Sequence, residues 1–84
     1  MQRYIFQIGK QEYNCYDNTV NGLTDLCDGV LSKEQIIYAI QQLQKQITEN
    51  NYIHSIDTFG LILDFCEQQD VDEAILIRKE ESGF

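Results

Sequence analysis

Among 84 residues the chain has no proline and no tryptophan, one histidine, and three cysteines that cannot all pair. Without proline there is no stiff, proline-rich linker to divide it. At this length one hydrophobic core is expected, burying about 60% of the surface that the unfolded chain exposes. Cys15, Cys27 and Cys66 form an odd set with no CxxC pair. Small secreted domains rely on an even disulfide framework, so structural thiols in a reducing cytoplasm are the expectation. Long apolar runs are missing as well. Runs such as Leu61 to Leu63, Ala74 to Ile77 and Ile36 to Ile40 are all far short of a membrane span. The first thirteen residues, MQRYIFQIGKQEY, acquire charge early and read as neither signal peptide nor anchor.

Catalytic motifs are also lacking. The five glycines, Gly9, Gly22, Gly29, Gly60 and Gly83, are scattered, so there is no phosphate-cradling loop. There is no GxSxG and no HExxH. A chain this short has little interior to give to a pocket of roughly 300 Å³ or more. The expectation is a protein that binds rather than catalyses, with no cofactor.

Basic residues are scarce. Fourteen acids against six bases give a formal charge of −8, while 43% apolar and 24% charged residues keep the chain within the globular range. Between Lys10 and Lys33 the charges are Glu12, Asp17, Asp25 and Asp28. Between Lys45 and Arg78 stand Glu49, Asp57, Asp64, Glu67, Asp70, Asp72 and Glu73, with no base. Such a chain repels nucleic-acid backbones and anionic membranes. A negative surface of this kind serves solubility, and it equally complements a basic partner.

Periodicity outlines the elements. Tyr4, Phe6 and Ile8 alternate with Arg3, Ile5 and Gln7, which predicts a strand over 3–8. Gly9-Lys10 turns the chain into a second strand over 12–16. Leu23, Leu26, Cys27, Val30 and Leu31 follow helical spacing, with Asn21 as cap and Gly29 as stop or kink. Ser32-Lys33-Glu34-Gln35 forms a capping box before a helix running to about Glu49. Ile36, Ile40, Leu43 and Ile47 line its inner face, Ile37 and Ala39 widen it, and Asn50-Asn51 stops it. Residues 57–69 fit either period; length favours a helix capped by Ser55 or Asp57. Ala74 to Ile77 suits a covered strand, and residues 80–84 a frayed tail behind a single acidic domain over 1–79. The predicted class is α+β, a sheet of two or three strands packed on one face by two or three helices.

One segment carries metal-like spacing. Asp17, Thr19, Asn21, Asp25 and Asp28, with Gly22 between, resemble the calcium loop of EF-hand proteins, in which alternating oxygens wrap the cation and glycine permits the turn. Threonine at the third position, aspartate at the twelfth and Thr24 at the eighth depart from that pattern. A polar loop capping a helix accounts for the same residues, and no metal is assigned. His54 cannot build a multi-histidine site, and a nucleophile–base pair with Cys66 would need the fold to bring them together.

Two surface features point to recognition. Tyr38 falls opposite the isoleucine stripe, among Gln41, Gln42, Lys45 and Glu49, where an aromatic serves no core unless a neighbouring loop or Phe84 covers it. Asp64, Glu67, Asp70, Asp72 and Glu73 place five acids in ten residues, and Asp25 and Asp28 can extend them. Bacterial immunity proteins that neutralise nuclease toxins share this profile of size, charge and absent chemistry, as do phage-encoded inhibitors that imitate nucleic-acid charge. The expectation is a small cytoplasmic inhibitor that covers a basic surface on a protein partner. A homodimeric adaptor using the glutamine-rich helix face is the alternative.

Overall fold

Tyr4, Phe6 and Ile8 project from one face of the first strand in the computed structural model, which describes residues 2–46 and 52–81. The strand, β1, spans Gln2–Ile8, and β2 spans Gln11–Cys15. They pair antiparallel across a two-residue turn, with Ile8 opposite Gln11. Gly9 takes a φ of +60° at the first position of that turn, where a type II′ hairpin requires glycine. Two further strands, β3 (Val30–Ser32) and β4 (Glu73–Glu81), complete an antiparallel sheet in the order β2-β1-β4-β3. Among the described residues three helices, α1 (Asn18–Leu26), α2 (Lys33–Gln44) and α3 (Tyr52–Gln68), supply the other half of this α+β fold.

The fourth strand corrects the expected count. Val30 and Leu31 were placed on a helix by their spacing, whereas they pair with Ile75 and Ala74 of β4. The helix there ends at Leu26 and begins earlier, capped by Asp17 rather than Asn21. Asp17 Oδ1 accepts the backbone N–H groups of Thr19 and Val20 at 2.9 and 3.1 Å. Val20 and Thr24 form its buried face, Leu23 and Cys27 pack against the core as expected, and Leu26 departs from the expectation at 84% exposed. A short strand carries too few residues for alternation to outvote the helical spacing on its N-terminal side.

The capping box forms as read. Ser32 Oγ accepts from Gln35 N at 3.2 Å, while Gln35 Oε1 accepts from Ser32 N at 2.9 Å. α2 ends at Gln44 with Lys45 as its C-cap, short of the expected end at about Glu49, and Ile47, Asn50-Asn51 and Phe84 lie outside the described residues. α3 starts five residues before Asp57, so neither Ser55 nor Asp57 caps it. β4 continues through Glu80 and Glu81, paired with Arg3 and Gln2, where a frayed tail was expected.

Both helix ends next to a strand use the same device. Gly29 N donates to Thr24 O and Asp28 N to Asp25 O at the end of α1; Val71 N donates to Cys66 O and Asp70 N to Glu67 O at the end of α3. These are Schellman closures, and the left-handed residue in each is an aspartate, Asp28 at φ 56° and Asp70 at φ 55°.

The core gathers Tyr4, Phe6, Ile8 and Ala74 from the sheet against Val20, Ile36, Phe59, Ile62 and Cys66 from the helices. Each fully buried Phe or Ile contributes on the order of 1.5–3 kcal/mol relative to exposure. Tyr13 and Phe65 extend it with ring centroids 5.3 Å apart. Burial pushes the Cys15 and Cys66 thiols and the Tyr13 hydroxyl above their ordinary pKa values. A group whose pKa is raised on folding stabilises the native state below its unfolded value and loses that contribution as pH climbs. Stability should therefore fall as pH rises past about 8.5, where unfolded thiols ionise. Urea midpoints at neutral and alkaline pH measure this. Native thiol titration should also label Cys27 first, since Cys15 and Cys66 are buried.

Candidate functional site

Three of the six basic residues, Arg3, Arg78 and Lys79, lie in β1 and β4 and are engaged, whereas Lys10, Lys33 and Lys45 form no ion pair among the described residues. Glu80 lies between Arg3 and Arg78, with Arg78 Nε 2.7 Å from its Oε2, and Arg78 Nη2 also reaches Glu12 at 3.0 Å. Their register sets these residues beside Ile5 on the sheet face away from the helices. Hydrogen bonding to Arg3 and then Arg78 holds the Glu80 carboxyl below the usual carboxylate range. On the helix side Lys79 Nζ meets Asp25 at 3.1 Å.

The acids around the α3–β4 corner have a different environment. Asp64, Glu67, Asp70, Asp72 and Glu73 are all exposed. Among the described residues none of their side chains takes part in an ion pair or hydrogen bond. Asp70 closes α3, Asp72 accepts from Lys33 N through its backbone carbonyl at 2.9 Å, and Glu73 opens β4 opposite Ser32. The corner thus holds Glu67, Asp70, Asp72 and Glu73 together, with Asp64 a turn further back on α3.

Asp25 and Asp28 do not join that group. Asp25 pairs with Lys79, six strand positions along β4 from Glu73, which is roughly 20 Å. Asp28 is exposed at the end of α1, beside the β4 segment where Leu76 N donates to Gly29 O at 2.8 Å. Tyr38 is 63% exposed on α2. It borders an apolar groove of about 220 Å³ whose wall includes Leu23, Leu43 and Phe59. Tyr38 and Asp72 of the acidic corner therefore line different grooves.

The calcium-like segment is a helix rather than a loop. Asp17, its first oxygen donor, is buried and engaged by Thr19, Val20 and Ser55, whose Oγ donates to the carboxylate at 2.9 Å. Among the described residues no cluster of three His, Cys, Asp or Glu side chains is placed to hold a metal. His54 and Cys66 stand twelve residues apart on α3, about 18 Å along its axis, so they do not pair. His54 instead brings Nε2 to 3.8 Å from Asp17 Oδ2. Sequence reasoning missed the Asp17–Ser55 contact because it joins two helices far apart in the chain. The Asp-Asn-Thr run before an apolar position was the available signal.

Comparison with family models, with curated proteins and with solved structures found no match. No helix among the described residues is long and apolar enough to cross a membrane.

Proposed function

We propose that this protein is a small inhibitor of the immunity type, which covers a basic surface of a nuclease-like protein with the carboxylates of its α3–β4 corner. The observation that carries this reading is the unequal pairing of charge. Arg3, Arg78 and Lys79 are matched to Glu80, Glu12 and Asp25, whereas Asp64, Glu67, Asp70, Asp72 and Glu73 form no ion pair among the described residues and outnumber Lys33, the base beside them. A surface with such an excess of negative charge steers a basic partner and speeds encounter.

The aspartate at the end of α3 adds weight. A left-handed C-terminal residue is most stable as glycine, and a carboxylate there meets the negative end of the helix dipole. Asp70 is thus costly locally on both counts, and a recognition role at the corner offsets that cost.

The test is a pull-down from source-cell lysate under low-salt and then high-salt washes, with elution products identified by mass spectrometry. It compares the native chain with a variant carrying Asp70→Lys, Asp72→Lys and Glu73→Lys. The expected result is one stoichiometric basic protein, weakened by salt, whose nuclease activity the native chain inhibits and whose capture by the triple variant falls by about 100-fold or more. Asp70→Gly should raise the unfolding midpoint while weakening the same capture. Undiminished capture by the triple variant removes the corner from the interface.

A further inference from the structure

The outer surface of the α2–α3 pair carries apolar side chains that the core does not use. On α3, Ile53 is 57% and Leu61 50% exposed; on α2, Ile37 is 43% exposed. Between the helices runs an open groove lined by Ile40, Ile56, Asp57, Gly60, Leu61 and Asp64. The buried positions Phe59, Ile62 and Cys66 already fill the opposite side of α3, so this stripe contributes little to the fold.

Gly60 lies in the middle of α3, and a Cβ built there meets no atom within 4 Å. Glycine is the poorest helix former after proline, and no packing within the chain calls for it at this position. Its effect is to leave the groove floor open, so that a visiting surface can approach the backbone closely.

Charge selects the visitor. Asp57 and Asp64 are exposed on the groove and unpaired among the described residues, and their seven-residue spacing puts them about 10 Å apart on one face of α3. A second copy of the chain would bring its own Asp57 and Asp64 against these in a protein of net charge −8. An apolar ridge flanked by lysine or arginine meets both requirements, and a groove between two helices receives such a ridge from a third helix. The neighbouring Tyr38 groove has no charged residue on its walls to select an occupant in this way.

We propose that the α2–α3 groove, floored at Gly60 and rimmed by Asp57 and Asp64, docks an amphipathic basic helix of the protein partner. This rests on the reading above that the partner is basic, and it adds where the apolar part of the contact lies.

The test uses two end-blocked peptides of about 18 residues built from leucine and lysine, long enough for helix formation on a surface. One has its leucines on a single helical stripe, and the other has the same composition scrambled. Titrated into ¹⁵N-labelled protein, the striped peptide should move the amides of Ile40, Ile56, Gly60 and Leu61. The scrambled peptide should move only Glu67 to Glu73. Gly60→Trp should weaken the striped peptide by about tenfold, and Gly22→Trp, at an equally open glycine on α1, by less than about twofold. Should Gly60→Trp disturb the fold, Asp57→Lys with Asp64→Lys is the second route to the same loss. Equal effects of the two tryptophan variants, or identical shifts from both peptides confined to the corner, would overturn the groove while leaving the basic-partner reading in place. If neither peptide moved any amide, that underlying reading would fail as well.

Discussion

Asp17→Ala should lower unfolding stability by about 2–4 kcal/mol, because one side chain caps a helix and satisfies a buried hydroxyl. The carboxylate accepts from Thr19 N and Val20 N at the start of α1 and from Ser55 Oγ inside α3. Loss of an N-cap costs about 1 kcal/mol. The buried Ser55 hydroxyl, left without its acceptor, costs about 1–3 kcal/mol more. Asparagine caps as well as aspartate and retains an oxygen toward Ser55, so Asp17→Asn should cost about 1 kcal/mol or less. Ser55→Ala removes the donor with its need, and it should be milder than Asp17→Ala. Urea denaturation of the single and double variants gives the coupling energy directly. A value of about 0.5–3 kcal/mol is expected for side chains in contact, and a value near zero would mean that Asp17 acts only as a cap.

The same residue shows what the sequence could disclose and what it could not. Local signals were legible wherever the partner lay close in the chain. The alternation of Tyr4, Phe6 and Ile8, the Gly9-Lys10 turn and the Ser32–Gln35 capping box all rest on contacts a few residues apart, and all three form. The run Val30-Leu31-Ser32 is different. Its state depends on pairing with Ala74 and Ile75 across more than forty residues, while its own spacing matches the helix before it. The ambiguous segment over 57–69 resolves as helix for a similar reason. Phe59, Ile62 and Cys66 face the sheet, and the outward Leu61 that gave the strand-like alternation is half exposed.

For the candidate site, exposure of Tyr38 and of the five corner acids was legible, because a polar helix face and a turn between periodic segments are surface by construction. Grouping was not. Asp25 looked like one more free carboxylate until Lys79 was placed beside it, and that contact spans fifty-four positions in the chain. The unpaired status of the corner emerges only once the bases are located, since their sequence positions say nothing about whom they neutralise. Gly60 was likewise opaque: a lone glycine inside a helical pattern signals nothing until the space around it is known.

Gly9→Ala carries the second large effect, about 2–5 kcal/mol, from two separable causes. At φ +60° an alanine sits in the left-handed region, which costs about 1–2 kcal/mol. Its Cβ would also stand 2.7 Å from Gln69 Cβ, closer than two methylene carbons can approach, so the hairpin or the end of α3 must shift. Overpacking of this sort costs about 1–3 kcal/mol. The contact matters to the fold because Gln69 lies just beyond α3 and, through Oε1, accepts from Lys10 N at 3.4 Å, tying the β1–β2 turn to the corner that bears Asp70. Shortening Gln69 to alanine would not relieve the clash, since the Cβ itself is the obstacle. Gln69→Gly would. In that background Gly9→Ala should cost only the backbone part, about 1–2 kcal/mol, and the difference between backgrounds measures the steric part. An equal cost in both backgrounds would place the whole effect in the turn conformation. A shifted corner has one more consequence: Gly9→Ala should weaken partner capture beyond its effect on stability, whereas a comparably destabilising change in the core such as Ile62→Ala should not.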